Sequence, residues 1–197
     1  MWKSLKKRFW PSSKSDAAAA GRRSALRENI ESLLWAAALA LVIRAFIMAP
    51  FKIPSGSMRP TLIEGDRILV NKFVYRLHPP LRGNIIVFRF PTDQKRPFIK
   101  RLIAVGGDHV EIRDGHPWVN GRALVLPEGM NGAVYYNQGT YGVEGEVIEV
   151  PAGHYFVLGD NSAASHDSRF WGFVPEPLLI GKAMVIFWPP GRIRVLR

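Results

Sequence analysis

The chain of 197 residues contains no cysteine. Disulfides, thiolate metal sites and a cysteine nucleophile are therefore excluded. The absence fixes no compartment, because a domain of this size can fold without disulfides in an oxidising space. Histidine is scarce. The five present (His78, His109, His116, His154 and His166) form no evident pair with an acid in a known triad order, and no HExxH or comparable metal spacing occurs. A Ser-His-Asp site is thus unsupported, though the sequence leaves it open. No internal repeat and no strong low-complexity tract is found, and past residue 50 no long helical period. A parallel α/β sheet, which needs strands alternating with helices, is disfavoured.

Charge is present in excess but unevenly placed. The net charge is +11. Eight basic residues against two acidic ones lie between Met1 and Asn29, so this segment holds +6 of that total. One reading is nucleic-acid binding. The other is the cytoplasmic flank of a membrane segment. The following residues decide between them. Leu33 to Ile43 is an unbroken apolar run, interrupted by Arg44 and resumed from Ala45 to Ala49. The total approaches the ~20 residues that cross a bilayer, and Pro50 ends the helical pattern. Arg44 sits near the end of the run, where its side chain can snorkel to the interface. The expectation is an uncleaved signal-anchor over residues 32–50. Residues 1–31, with a flexible tether from Pro11 to Ala20, would lie in the cytoplasm, and residues 51–197 outside. A buried core helix and a cleaved signal peptide are the alternatives.

The body reads as β structure. Short β-rich runs bounded by Gly, Pro, Asn and Asp fall at Arg67–Phe73, Ile85–Phe90, Phe98–Val105, His109–Arg113, Trp118–Val119, Val147–Val150, His154–Leu158 and Gly181–Phe187. Asp114-Gly115 and Asn120-Gly121 are hairpin signals, because φ > 0 is cheap at Gly and tolerated at Asn and Asp. The fold class expected is mainly β: an antiparallel sandwich or a partly open barrel. Gly129–Gly145 is turn-rich and reads as a surface loop or insertion.

Three segments carry possible chemistry. Ile53 to Leu62 (IPSGSMRPTL) places Ser57 between prolines three residues to either side, with glycine before it. Prolines stiffen the segment and glycine permits close backbone approach. Such a loop suits a nucleophile, or is an ordinary turn. A serine hydroxyl needs a base. Lys100 lies in the apolar run Phe98 to Val105, and strand alternation puts it on one face with Phe98, Leu102 and Ala104, with Arg101 opposite. An apolar setting without a carboxylate partner lowers a lysine pKa from ~10.4 toward neutrality. The third segment, Gly159 to Gly172 (GDNSAASHDSRFWG), is polar and loop-like. By itself it reads as a capped loop with a modest Asp–Arg ion pair.

In that order, together with GDRILVNK (Gly65–Lys72) and IKRLIAVGGD (Ile99–Asp108), these segments resemble the type I signal peptidase family of serine–lysine proteases. The resemblance implies that Ser57 attacks the scissile carbonyl and that neutral Lys100 takes its proton. It implies an oxyanion hole from the Ser57 N–H and the Ser55 hydroxyl, and a lysine amine oriented by Ser165. It implies a supporting ion pair between Asp167 and Arg169, with Gly159, Asp160 and Asn161 shaping the loop. Ile53, Pro54, Met58, Leu62, Phe98 and Ile99 would wall shallow pockets for small side chains. The implied substrates are secretory precursors bearing signal peptides, cut after small residues, often Ala-x-Ala, at the extracytoplasmic face of the cell membrane. No metal and no organic cofactor is implied, no nucleic acid is expected as partner, and the oligomeric state is unknown. Phe51 and Trp171 fit either contact with the lipid bilayer or core packing.

The chain departs from the family at Ser162-Ala163-Ala164, where many members carry Arg-Asp-Asn. A hydrogen-bonding cluster is there lost or replaced. Three other readings stay open: a self-cleaving repressor-like protein, a maturation peptidase for one dedicated substrate, and a tethered β-domain that binds without catalysis. The first needs a DNA-binding domain, and residues 1–50 offer a tether and an apolar run instead.

Overall fold

In the computed structural model of the protein, residues 29–41, 48–127, 130 and 133–196 are described. The expected basic segment up to residue 28, with its tether, and residues 42–47 of the expected anchor lie outside them. The chain divides into two compact units, Met1–Arg44 and Ala45–Arg197.

In the first unit, residues 29–41 form a helix, α1. Its Leu33, Leu34, Trp35, Leu39 and Leu41 are all more than half exposed. No helix of the described residues is long and apolar enough to cross a membrane. The helix expected over residues 32–50 also ends differently. Its last three residues are extended, in strand β1 (Met48–Lys52), where Pro50 lies opposite Leu69. Proline is tolerated there because β1 is an edge strand.

The second unit is mainly β, and every strand pair is antiparallel. After β1 come β2 (Arg67–Asn71), β3 (Ile85–Arg89), β4 (Pro97–Val105), β5 (His109–Arg113), β6 (His116–Val119), β7 (Arg122–Ala123), β8 (Ile148–Glu149), β9 (His154–Leu158), β10 (Val174–Pro175), β11 (Leu179–Trp188) and β12 (Arg194–Val195). The large sheet runs β1-β2-β11-β3-β4-β9-β10, with β12 on β11. A smaller sheet runs β7-β6-β5-β8. The large sheet has two separate edges, so it does not close. It bends where register shifts interrupt β11 against β2 and β3, and β4 against β9.

Burial follows the pleat. Ile85 and Val87 of β3 enter one core with Ile53, Met58, Leu62 and Ile68, while Ile86 and Phe88 enter a second core with Leu102 and Val157. A strand covered on both faces needs a continuous apolar run, and Ile-Ile-Val-Phe supplies it. The small sheet shares a third core with Ile103, Ala104, Phe156 and Leu158. Ala104 thus leaves the Lys100 face on which simple alternation placed it, because the irregularity between Leu102 and Ala104 breaks the period. Both hairpin signals hold: Asp114-Gly115 and Asn120-Gly121 have positive φ, joining β5 to β6 and β6 to β7.

Candidate active site

Ser57 sits in a single 3-10 turn, Gly56–Met58, right after the extended Ser55. The Arg59 N–H closes the turn onto the Gly56 carbonyl at 3.1 Å, and Leu62 N–H bonds the Met58 carbonyl at 2.8 Å. Ile53, Met58 and Leu62 anchor this loop from below. They are 2%, 0% and 0% exposed, inside the first core. The three residues expected to wall a substrate pocket thus lie directly beneath the Ser57 turn, with little surface of their own. Apolar side chains on a short stiff loop gain more by filling the core than by facing water. Pro54 is exposed, and Phe98 and Ile99 are half-buried. Phe51 packs against the first core, and Trp171 against Phe88 and Phe90.

Strand β4 brings Lys100 to the serine. Lys100 Nζ lies 2.7 Å from Ser57 Oγ, 43 residues away in the chain, and the contact is buried. Lys100 is 4% exposed. Burial lowers its pKa to about 8; Asp167 and Asp160 oppose this, and Arg169 assists it. Lost hydration therefore outweighs two nearby carboxylates. Ser55 Oγ lies 3.4 Å from Ser57 Oγ. The Ser57 N–H belongs to the first turn of its 3-10 segment, where donors have no acceptor within the turn.

The expected Asp167–Arg169 pair is present and fully buried, with Arg169 Nε donating to Asp167 Oδ1 at 2.8 Å and Nη2 to Oδ2 at 2.9 Å. Asp167 caps helix α2 (Ser168–Trp171) and also accepts the Gly159 N–H at 3.0 Å. Gly159 is packed so closely that a Cβ there would strike Ser165 Oγ and lie 2.5 Å from the Ser57 carbonyl oxygen. Asn161 bridges back twice, its N–H to the Ser57 carbonyl at 3.0 Å and its Nδ2 to the Gly56 carbonyl at 3.1 Å. Ser165 is brought beside this group, but its buried Oγ makes no hydrogen bond, to Lys100 or elsewhere.

Sequence reasoning missed two supports. Arg101 turns away from Lys100, as alternation requires, into a buried bidentate pair with Asp160, at 2.7 and 2.6 Å. Its signal was a second long cation inside an otherwise apolar strand, with no acid near in sequence. Ser162 fills the departure from the family pattern by accepting from Arg169 Nη1 at 2.6 Å. Two cavities, of about 610 and 540 Å³, flank Pro60 and Met130, and neither is lined by Ser57 or Lys100.

Comparison with known proteins identifies the family. A family model described as signal peptidase, peptidase S26, matches residues 26–188. Signal peptidase I of Aquifex aeolicus is 36% identical over 217 residues, covering 83% of this chain and 84% of that protein. A probable signal peptidase I-2 of Synechocystis is 41% identical over 172 residues, covering 84% and 75%. Signal peptidase I of Pseudomonas fluorescens is 35% identical over 200 residues, covering 79% and 70%. A solved signal peptidase I from Enterococcus faecalis is 33% identical, covering 53% of this chain and 97% of that one, with a TM-score of 0.43.

Proposed function

The chain belongs to the signal peptidases of the S26 family and is a serine endopeptidase, and on that premise we propose that Ser57 and Lys100 are its catalytic pair and that it removes signal peptides from secretory precursors. The observation that carries this reading is the buried 2.7 Å contact between Lys100 Nζ and Ser57 Oγ. As an ammonium, Lys100 donates to Oγ. As a neutral amine, it accepts the hydroxyl proton along the same line. A pKa near 8 leaves a working fraction neutral at physiological pH.

The reaction then runs as acyl transfer. Ser57 Oγ bonds to the scissile carbonyl carbon while its proton passes to Nζ. The carbonyl oxygen gains charge, and the Ser57 N–H and the Ser55 hydroxyl receive it. The peptide C–N bond breaks as Lys100 returns the proton to the leaving amine. Water, deprotonated by the same lysine, frees the acyl group and restores Ser57. Ser165, buried without a partner, supplies an acceptor for the amine when Oγ is acylated. An unpartnered buried hydroxyl costs about 1–3 kcal/mol, so such a contact repays its burial. Asp167 and Arg169 hold the surrounding loop.

Substrate lies along β4. That strand pairs with β3 over Pro97–Arg101 and with β9 only from Arg101 onward, so one side of Pro97–Lys100 is open to an extended peptide. Pro54, Phe98 and Ile99 are the expected residues beside it with surface to contribute, and the residues they receive are small, as in Ala-x-Ala. The apolar helix of residues 29–41 is the described part of the membrane anchor read from the sequence, with the residues before it cytoplasmic and the β unit, which opens at Met48 in β1, on the extracytoplasmic side.

The full chain in detergent, incubated with a signal-peptide-bearing precursor, is expected to cut it once after a small residue, with the position read by mass spectrometry. Ser57→Ala should abolish the cut with the fold intact. A variant that still cleaves would remove Ser57 as nucleophile.

A further inference from the structure

Ser162 opens the 3-10 turn Ser162–Ala164 and is buried. Its Oγ accepts from Arg169 Nη1 at 2.6 Å and from the Tyr136 N–H at 2.9 Å. Its carbonyl accepts from Arg169 Nη2 at 2.9 Å. With the Tyr136 carbonyl on Nη1 at 2.8 Å and the Asp167 carboxylate on Nε and Nη2, every guanidinium N–H of Arg169 has an acceptor. Arg169 is wholly buried, so an acceptor removed cannot be replaced by bulk water. From Arg169 the contacts continue through Asp167 to the Gly159 N–H, and Gly159 packs on the Ser57 carbonyl and Ser165.

We propose that Ser162 is a positioning residue for the catalytic pair and that, through it, the segment around Tyr136 forms part of the catalytic support. The second half follows from how that segment is held. Tyr136 gives both its N–H and its carbonyl to the Ser162–Arg169 contact. Tyr141 N–H bonds the Arg169 carbonyl at 2.8 Å, and Gly139 is pressed against the same carbonyl. A turn-rich excursion in the sequence is thus docked on the arginine behind the active site.

The consequence is electrostatic as well as mechanical. Three charged groups act on the Lys100 amine: Asp167 and Asp160 favour the ammonium, and Arg169 disfavours it. Asp160 has its own counter-ion in Arg101. The placement of Arg169 against Asp167 therefore sets how much carboxylate charge the amine feels. Ser162 fixes that placement with a neutral oxygen, where many family members have an arginine.

This inference rests on the proposed Ser57–Lys100 pair, and its test has a readout that does not. The full chain in detergent, with isotope-labelled lysine and the Lys100 signal assigned by Lys100→Met, is titrated by NMR. Ser162→Ala should raise the Lys100 midpoint by about one unit, and the near-isosteric Ser162→Cys, a weaker acceptor, by less. In parallel, kcat at neutral pH should fall about tenfold for Ser162→Ala with KM within about twofold, and its acid limb should move to higher pH. Ser162→Thr, which keeps the oxygen, should return both readouts toward the parent. Variants that lose thermal stability while the Lys100 titration stays at the parental midpoint would overturn the proposal, as would a threonine variant no closer to the parent than alanine. If Lys100→Met retained precursor cleavage, the catalytic pair would fall, and the titration would still decide the role of Ser162 in placing the charges.

Discussion

An amine buried in an apolar strand gives up most of its hydration, and Lys100 does so without a carboxylate in direct contact. Its pKa falls from 10.5 to about 8, with burial as the largest cause. The folded chain then binds this proton less tightly than the unfolded chain does. Below pH 8 both states carry the proton, and the folded state bears the whole penalty, about 3 kcal/mol from the shift. As pH rises from 8 to 10.5, the folded lysine releases its proton while the unfolded one keeps it, so the penalty shrinks. Lys100→Met keeps the length and apolar stem without the charge. It should abolish precursor cleavage and raise stability at pH 7 by about 1–3 kcal/mol, the gain over the parent fading toward pH 10. Denaturant melts of both proteins at several pH values check this, and a gain that grew with pH would contradict the burial argument. The parent's kcat/KM should show an acid limb near pH 8. At this scale the sequence was legible wherever a residue's setting is local. Lys100 could be read because its strand neighbours are apolar. The Arg101–Asp160 pair could not, because its partners stand 59 residues apart.

Strands β4 and β9, with the loop running from β9 to α2, build the site as one element. β4 carries Lys100 and Arg101 to opposite faces, and the loop meets both, through Asp160 at Arg101 and through Gly159 at the Ser57 carbonyl. The tightest point is Gly159. Its backbone is not left-handed, so glycine is required there for space alone. Gly159→Ala should force the Ser57 turn and the loop apart. The expected result is a loss of about 1–3 kcal/mol of stability and a fall in kcat of at least about a hundredfold, with smaller change in KM. Unfolding curves and steady-state kinetics on the same preparation separate the two. A variant with parental kcat would show that the catalytic geometry does not depend on this contact. The pattern of strands was legible because alternation and turn residues mark them directly: β5 and β9 match their expected bounds, and both hairpins turn where Asp-Gly and Asn-Gly stand. β1 was not, since Met48–Pro50 continue an apolar run, and only pairing with β2 makes them extended. Short β7, β10 and β12 are held by their partners rather than by any pattern of their own. Ile53, Met58 and Leu62 flank Ser57 in sequence, and the turn points them into the core.

On the scale of the whole molecule, all three cores draw their buried residues from positions 53 to 196, inside the unit Ala45–Arg197. The Ser57–Lys100 contact and both buried ion pairs lie there too. Helix α1 shows the opposite character, with its large apolar side chains exposed. If that helix serves to anchor, its removal should leave folding and chemistry intact and change only how enzyme and substrate meet. A chain beginning at Ala45 should melt within a few degrees of the parent and cleave a short soluble peptide with similar kcat/KM. On a precursor embedded in vesicles it should lose at least about tenfold, because confinement to one surface supplies effective concentration without any new contact. The ratio of the two substrates, measured for both proteins, is the deciding quantity, since it cancels any general loss from truncation. An unchanged ratio would mean that the apolar helix contributes nothing to substrate encounter. A parallel loss on both substrates would mean that the β unit depends on the preceding residues for its own structure.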